Sequence, residues 1–269
     1  MVGGKRKTLS MWAALCEACC MLLDTVSVLA SASQAQVTAY FESGGTVKPE
    51  PLTTTSSAPL RVLCLHGGGS NKAVMTYQTR ELCRLFGAGA SFDYLEGPRP
   101  FAVAEVDPQV RQLFGEGPYH CWYGVYNDGS PQQNFLERLR DHSVNFTYSD
   151  VETAIATLEA ALVERGPFDV LLGFSQGAII ISILTALRLK AARESGAPPP
   201  EWRMNVLVCG MPPRDNRYIE LTTTPPMEFP CIQVFGQRDP FYSYGQVPLP
   251  LLGPSSTLCR HAPRSYPSA

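Results

Sequence analysis

The sequence predicts an α/β protein with a mostly parallel central sheet and helices on both faces. Three observations predict it. Short, mostly apolar runs recur along the chain. Segments of helical period lie between them. Glycine-containing loops close several of the runs. Strands covered on both faces read as continuous apolar runs, and strands that alternate with helices pair in parallel through crossovers. The composition can fill such a core, with 269 residues of which 45% are hydrophobic and 17% charged.

Residues 1–57 read as an N-terminal extension and linker, and 58–269 as one domain. Lys5, Arg6 and Lys7 precede an apolar stretch over 11–30, and 32–35 is rich in small residues, which has the outline of a secretory signal. Glu17 and Asp24 interrupt that stretch, and each would cost about 2.5–3.5 kcal/mol at a bilayer centre. A stable membrane span is therefore not expected, and a weakly helical extension is the simpler reading. Cys16, Cys19 and Cys20 have no His or further Cys nearby to complete a tetrahedral zinc site. The Gly, Thr, Ser and Pro of 43–59 mark the linker.

The domain opens with a strand over 61–65 that runs into His66-Gly67-Gly68-Gly69. Ser70 is placed to cap a helix carrying Met75, Leu82, Leu85 and Phe86, with Gly87 as its stop. A second strand is expected over 91–95. Residues 99–146 look irregular and aromatic, with Tyr119, Trp122, Tyr123 and Tyr126 and one short helix over 106–114. Ser149-Asp150-Val151-Glu152 has the form of a capping box for a helix bearing Val151, Ile155, Leu158 and Leu162, ended by Gly166-Pro167. A strand over 168–172, an apolar helix over 176–194, and strands over 204–209 and 231–235 complete the alternation.

Charge and cysteine usage narrow the function. The chain has 22 basic and 24 acidic residues, a net charge of −2, so nothing global attracts nucleic acid or an anionic membrane. Nine scattered cysteines, an odd count, do not form a disulfide framework and point to a reducing compartment.

Chemistry concentrates in Gly173-Phe174-Ser175-Gln176-Gly177, directly after an apolar strand and opening a long helix. That is the setting of a nucleophile elbow: the turn exposes the serine hydroxyl at the carboxyl edge of the sheet, and the helix N-terminus favours negative charge there. The glycines allow strand and helix to meet closely. His66-Gly67-Gly68-Gly69 follows an earlier strand and can present a backbone N–H to an oxyanion; Gly68 and Gln176 are the expected donors. His66 itself reads as orienting the loop. A phosphate-binding loop is excluded because no Gly-Lys-Ser/Thr follows. Asp239, in Gly236-Gln-Arg-Asp239-Pro240, sits just past a late strand, where the acid of a Ser, Asp, His order falls; a turn-capping Asp is the alternative. In that order only His261 can be the base, against the alternative of an exposed tail histidine. The aromatic segment around Trp122 and Tyr123 is expected to line a lid or acyl pocket, or else to pack on itself.

Taken together, Arg61-Val-Leu-Cys-Leu-His-Gly67, Gly173-Phe-Ser-Gln-Gly177, Cys209-Gly-Met-Pro-Pro-Arg214 and Phe235-Gly-Gln-Arg-Asp239 resemble the FSH branch of the α/β-hydrolases, the "family of serine hydrolases" proteins. The resemblance spans about 60–244 and includes the Trp122 segment and Glu96-Gly97-Pro98. It implies an α/β-hydrolase fold and a serine esterase or thioesterase acting on a small acyl substrate, with Ser175 as nucleophile and Asp239 as triad acid. It further implies no cofactor or metal, and a mostly cytosolic location with the nucleus as a further one. The tail departs from the pattern. The family closes with a strand and His-x-Gly-Gly-His-x-x-Pro, whereas this chain has His261-Ala-Pro-Arg-Ser265-Tyr-Pro267. If His261 matches the first of those histidines, Ser265 stands at the base position and the last strand is missing. A catalytically impaired homologue serving as a binding module, or a hydrolase fold turned to non-hydrolytic chemistry, are the alternatives this leaves.

Overall fold

Ten strands and seven helices can be traced in the computed structural model, which describes residues 58–126, 135–223, 229–236, 239, 241–245 and 256–261. The extension, including Cys16, Cys19 and Cys20, lies outside the described residues.

The chain begins with β1 (Leu60–Leu65), helices α1 (Lys72–Gln78) and α2 (Arg80–Phe86), and β2 (Ala90–Leu95). A smaller region follows, with β3 (Arg99–Phe101), α3 (Pro108–Phe114), β4 (Tyr119–Cys121), β5 (Gly124–Tyr126), α4 (Phe135–Arg140) and β6 (Thr147–Ser149). Then come α5 (Val151–Arg165), β7 (Val170–Phe174), α6 (Gln176–Ser195), β8 (Met204–Val208), α7 (Asn216–Thr223), β9 (Cys231–Gly236) and β10 (Ser256–His261).

The main sheet has the order β10-β9-β8-β7-β1-β2, and all of its pairings are parallel. β3 with β4, and β5 with β6, form separate antiparallel pairs. Central strands are buried on both faces: every residue of β7, β8 and β9 is buried. One face packs on α5 and α6 through Ala154, Leu158, Ile179, Ile180 and Ile183. The opposite face packs on α1 and α2 through Met75 and Leu82, with Val62, Val206 and Ile232 from the strands. The expected doubly covered parallel sheet is thus present. In α6 every residue from Gly177 to Ala186 is buried. Its isoleucines are indifferent helix formers, so burial rather than propensity holds this segment helical. Among the described residues no helix is long and apolar enough to cross a membrane.

Several local expectations are corrected. The helix expected between Ser70 and Gly87 is broken in two at buried Thr79, whose hydroxyl bonds back to Met75 O (2.9 Å) and to Tyr94 OH (2.7 Å). Ser70 does not cap it. The chain enters one residue later, where Asn71 Oδ1 accepts the Val74 N–H at 3.0 Å, while the Ser70 backbone pairs with His120. The capping box at 149–152 does not form either. Asp150 takes the cap position at φ 62° without a side-chain cap bond, and Glu152 accepts the Tyr218 hydroxyl at 3.0 Å instead of folding back. The stretch expected to be irregular holds the β3–β4 pair and β5, which pairs with β6 just beyond it.

The final strand is present. β10 pairs with β9 from Ser256 opposite Cys231 to His261 opposite Gly236. As an edge strand it has one ladder to complete, so its mixed sequence lacks the long apolar run that marks the central strands.

Candidate active site

Ser175 follows β7 immediately and is the N-cap residue of α6. Its backbone sits at φ 50°, ψ −114°, a region costly for a side-chain-bearing residue, of order 1–3 kcal/mol. The turn is held in register, with the Ser175 N–H donating to Val208 O at 2.9 Å and the Ile179 N–H to Ser175 O at 3.1 Å. The flanking glycines are required by contact. A Cβ on Gly173 would stand 2.5 Å from Ala178 N, and one on Gly177 2.5 Å from Leu65 O. Strand, turn and helix therefore pack as a nucleophile elbow.

The glycine loop after β1 lies against this turn. A Cβ on Gly67 would meet the Phe174 ring at 2.8 Å and Ser175 Cβ at 3.5 Å, and one on Gly68 would meet the Gln176 side chain at 2.8 Å. Gly68 and Gln176, the expected oxyanion donors, are thus neighbours beside Ser175. His66 anchors the loop from within the core. It is fully buried; Nε2 accepts the Gly97 N–H at 2.9 Å and Nδ1 donates to Gly67 O at 2.7 Å. Both ring nitrogens are engaged in holding loops, as expected of an orienting residue. Glu96 Oε1 lies 3.0 Å from the same ring and accepts the Lys72 N–H at 3.1 Å. Burial pushes the Glu96 pKa up, but the His66 ring, the charge of His120 and the Lys72 N–H together hold it below the ordinary carboxyl value.

Trp122 and Tyr123 are placed beside the elbow but inside the core, 0% and 2% exposed. The Trp122 indole donates to His66 O at 2.7 Å. Their backbone is clasped by Gln176, whose Oε1 accepts the Trp122 N–H (3.0 Å) and whose Nε2 donates to Tyr123 O (3.2 Å). The Gln176 side chain therefore staples the aromatic segment to the helix that Ser175 opens. Spacing did not reveal this clasp because it joins segments more than fifty positions apart.

Asp239 lies beyond β9, two strands from β7, on the same carboxyl edge. It is 5% exposed. Its Oδ1 accepts the Phe241 N–H at 2.8 Å, and Oδ2 is buried without a hydrogen-bond partner. Burial pushes its carboxyl above the ordinary value, opposed by the Cys209 thiol, the Phe241 N–H and the charge of Arg140. His261 ends β10 opposite Gly236, so its backbone reaches the same edge one strand further out.

A native pKa raised above the unfolded one makes a stability statement. Asp239 favours the fold below its unfolded value near 3.8, and that advantage is lost as pH rises through the higher native value. Asp239→Asn is therefore expected to unfold at higher urea than the parent at neutral pH, with the gap closing on acidification. A gap independent of pH would place its cause elsewhere.

Two residues that sequence reasoning assigned no role shape this edge. Cys209, buried just past β8, has φ 51°. Arg214, buried, donates to Asp141 O (2.6 Å), Val144 O and Tyr244 OH, while its own N–H donates to Tyr148 OH at 2.8 Å. It ties the 141–148 segment to the loop that follows Asp239. Both fall in the quoted Cys209-Gly-Met-Pro-Pro-Arg214 stretch, but nothing local to that stretch distinguishes a buried anchoring arginine from a solvated one.

The fold and the strained serine between close-packed glycines define an α/β-hydrolase with a nucleophile elbow. The family described as "Serine hydrolase (FSH1)" matches residues 55–247, and the chain belongs to it. Esterase FPY3 of Fusarium mangiferae is 27% identical over 207 residues, covering 72% of this chain and 82% of that protein. Esterase FUS5 of Gibberella moniliformis is 31% identical over 190 residues, covering 70% of each. Esterase OVCA2 of Homo sapiens is 30% identical over 187 residues, covering 67% of this chain and 77% of that protein.

Proposed function

We propose that the chain hydrolyses small, uncharged carboxylic esters or thioesters through an acyl-enzyme on Ser175, with residues 58–269 as the hydrolase domain and 1–57 as an extension outside it. The observation that carries the reading is the Ser175 turn: a strained, half-buried serine at the N-terminus of a 20-residue helix, beside the glycine loop. The relatives named above are esterases, which fits the same assignment here.

The Ser175 hydroxyl attacks the acyl carbon while His261 takes its proton, and the carbonyl π electrons move onto oxygen. The Gly68 and Gln176 N–H groups hold that oxyanion, each such donor being worth roughly 2.7–4 kcal/mol in the transition state. Collapse expels the alcohol or thiol, protonated by the imidazolium. Water, deprotonated by the same imidazole, then attacks the acyl-enzyme and releases the acid and Ser175. Asp239 Oδ2, buried and without a partner among the described residues, is the acceptor assigned to the imidazole N–H. Trp122 and Tyr123, enclosed in the core, are assigned to the packing behind the acyl pocket, held there by the Gln176 clasp on their backbone. Cys64, Cys83, Cys121, Cys209 and Cys231 are thiols rather than disulfides, which fits a cytoplasmic enzyme.

The test is His261→Ala in the full chain with a p-nitrophenyl ester and an acyl thioester. Loss of turnover by about 10³-fold or more, with the fold intact by circular dichroism, is expected for a triad base. Unchanged turnover would remove His261 from the triad. A parent chain inert to both substrates would favour the binding-module alternative.

A further inference from the structure

Cys209 stands between the two strands that carry the proposed nucleophile and acid. It is the first residue past β8, which lies between β7 and β9. Its backbone is tied to one neighbour directly, its N–H donating to Val234 O at 2.8 Å, and to the other through Val208, whose carbonyl accepts the Ser175 N–H at 2.9 Å. Among the described residues three non-glycines have positive φ: Asp150, Ser175 and Cys209. Two of these three are therefore coupled across one pair of strands at the site. A glycine would hold φ 51° without a Cβ penalty, so a cysteine there keeps a side chain at a cost in strain.

Cys209 is 3% exposed and Asp239 5% exposed, so neither side chain is well placed to exchange its partners for bulk water. Cys209 leaves β8 and Asp239 lies three residues past the end of the neighbouring strand β9, at the same edge of the sheet, and the thiol favours the ionised carboxyl. A buried carboxylate needs donors. Asp239 has one backbone donor, Phe241 N–H, on Oδ1, and Arg140 contributes charge alone. A thiol is a weak donor to a neutral acceptor but a stronger one to an anion.

We infer that Cys209 is a positioning residue of this site: its thiol donates a hydrogen bond to the Asp239 carboxylate and fixes the orientation in which that carboxylate meets the base. The inference rests on the serine-hydrolase mechanism proposed above. A cysteine that only filled space would tolerate alanine as well as serine, whereas a donor distinguishes them. Cys209→Ser retains a hydroxyl donor; Cys209→Ala keeps the volume close and removes the donor.

The experiment measures ester turnover against pH for the parent, Cys209→Ser and Cys209→Ala, alongside the rate of labelling by a fluorophosphonate probe. Cys209→Ala is expected to lower kcat about ten-fold with KM little changed, and to move the acid limb to higher pH, because the dyad then holds its proton more tightly. Cys209→Ser is expected to stay within about three-fold of the parent, since it keeps a charge-assisted bond. Equal losses in both variants, or none in either, would overturn the inference and leave Cys209 a packing residue.

A second readout does not depend on turnover. The S–H stretch assigned to Cys209 by infrared difference against Cys209→Ser should shift on Asp239→Ala; an unmoved band would deny the hydrogen bond. If the parent neither labels nor turns over, the hydrolase mechanism fails and the positioning role fails with it, while the band still reports whether the bond exists.

Discussion

Ser175→Ala is expected to abolish labelling by a fluorophosphonate probe and to lower ester turnover by about 10⁴–10⁶-fold, the range seen when a triad nucleophile is removed. Few other substitutions reach that size, because acylation needs an atom where the elbow places it. The same position offers a control that a simple loss of folding could not imitate. Ser175 has φ 50° and ψ −114°, which glycine adopts without a Cβ penalty. Ser175→Gly removes the hydroxyl as completely as alanine does, yet relieves a strain of order 1–3 kcal/mol. Its thermal midpoint is expected to rise above that of Ser175→Ala by several degrees, at about 2–4 °C per kcal/mol for a chain of this size. Inactive variants of differing stability would show the serine held in its strained turn for chemistry. An active Ser175→Ala protein would refute the acyl-enzyme.

What the sequence revealed follows the range of the interactions that decide each element. The apolar runs at 61–65, 204–209 and 231–235 were legible because central strands are covered on both faces and need little but apolar residues. Gly173 and Gly177 were legible because their steric demand comes from a turn within a few positions. The helix caps were misread for the opposite reason. Ser70 and Ser149 carry good capping side chains, but the Ser70 backbone is claimed by His120 and Glu152 by Tyr218, partners fifty and sixty-six positions away. β10 was missed because an edge strand needs only one ladder. The clasp of Gln176 on Trp122 and Tyr123, and the approach of Cys209 to Asp239, belong to the same class. Each joins residues that periodicity cannot relate, so only the assembled sheet brings them together.

Gly177→Ala separates helix propensity from packing with opposite signs. Gly177 lies in the first turn of α6, where alanine is the better helix former by about 1 kcal/mol, and propensity alone would make the variant more stable. The new methyl would stand 2.5 Å from Leu65 O, 2.7 Å from His66 O and 2.8 Å from Leu65 Cβ. Two of these are backbone atoms: Leu65 ends β1, paired on both sides with β2 and β7, and His66 O accepts the Trp122 indole N–H, so they cannot yield as the tip of a flexible side chain can. Overpacking of this kind costs about 1–3 kcal/mol and sometimes more. With the neighbours fixed in the sheet, a net loss of at least about 2 kcal/mol is expected in urea denaturation. The strain falls at the residues that lead into Gly67 and Gly68. Turnover is therefore expected to fall by up to about 10²–10³-fold in the molecules that remain folded, the size of a lost oxyanion donor. Gly89→Ala is the comparison, because its Cβ would meet nothing within 4 Å, and its effect should stay within about 0.5 kcal/mol. If Gly177→Ala were as stable as Gly89→Ala and fully active, helix α6 would not press against the loop after β1, and the placing of the oxyanion donors would need another cause.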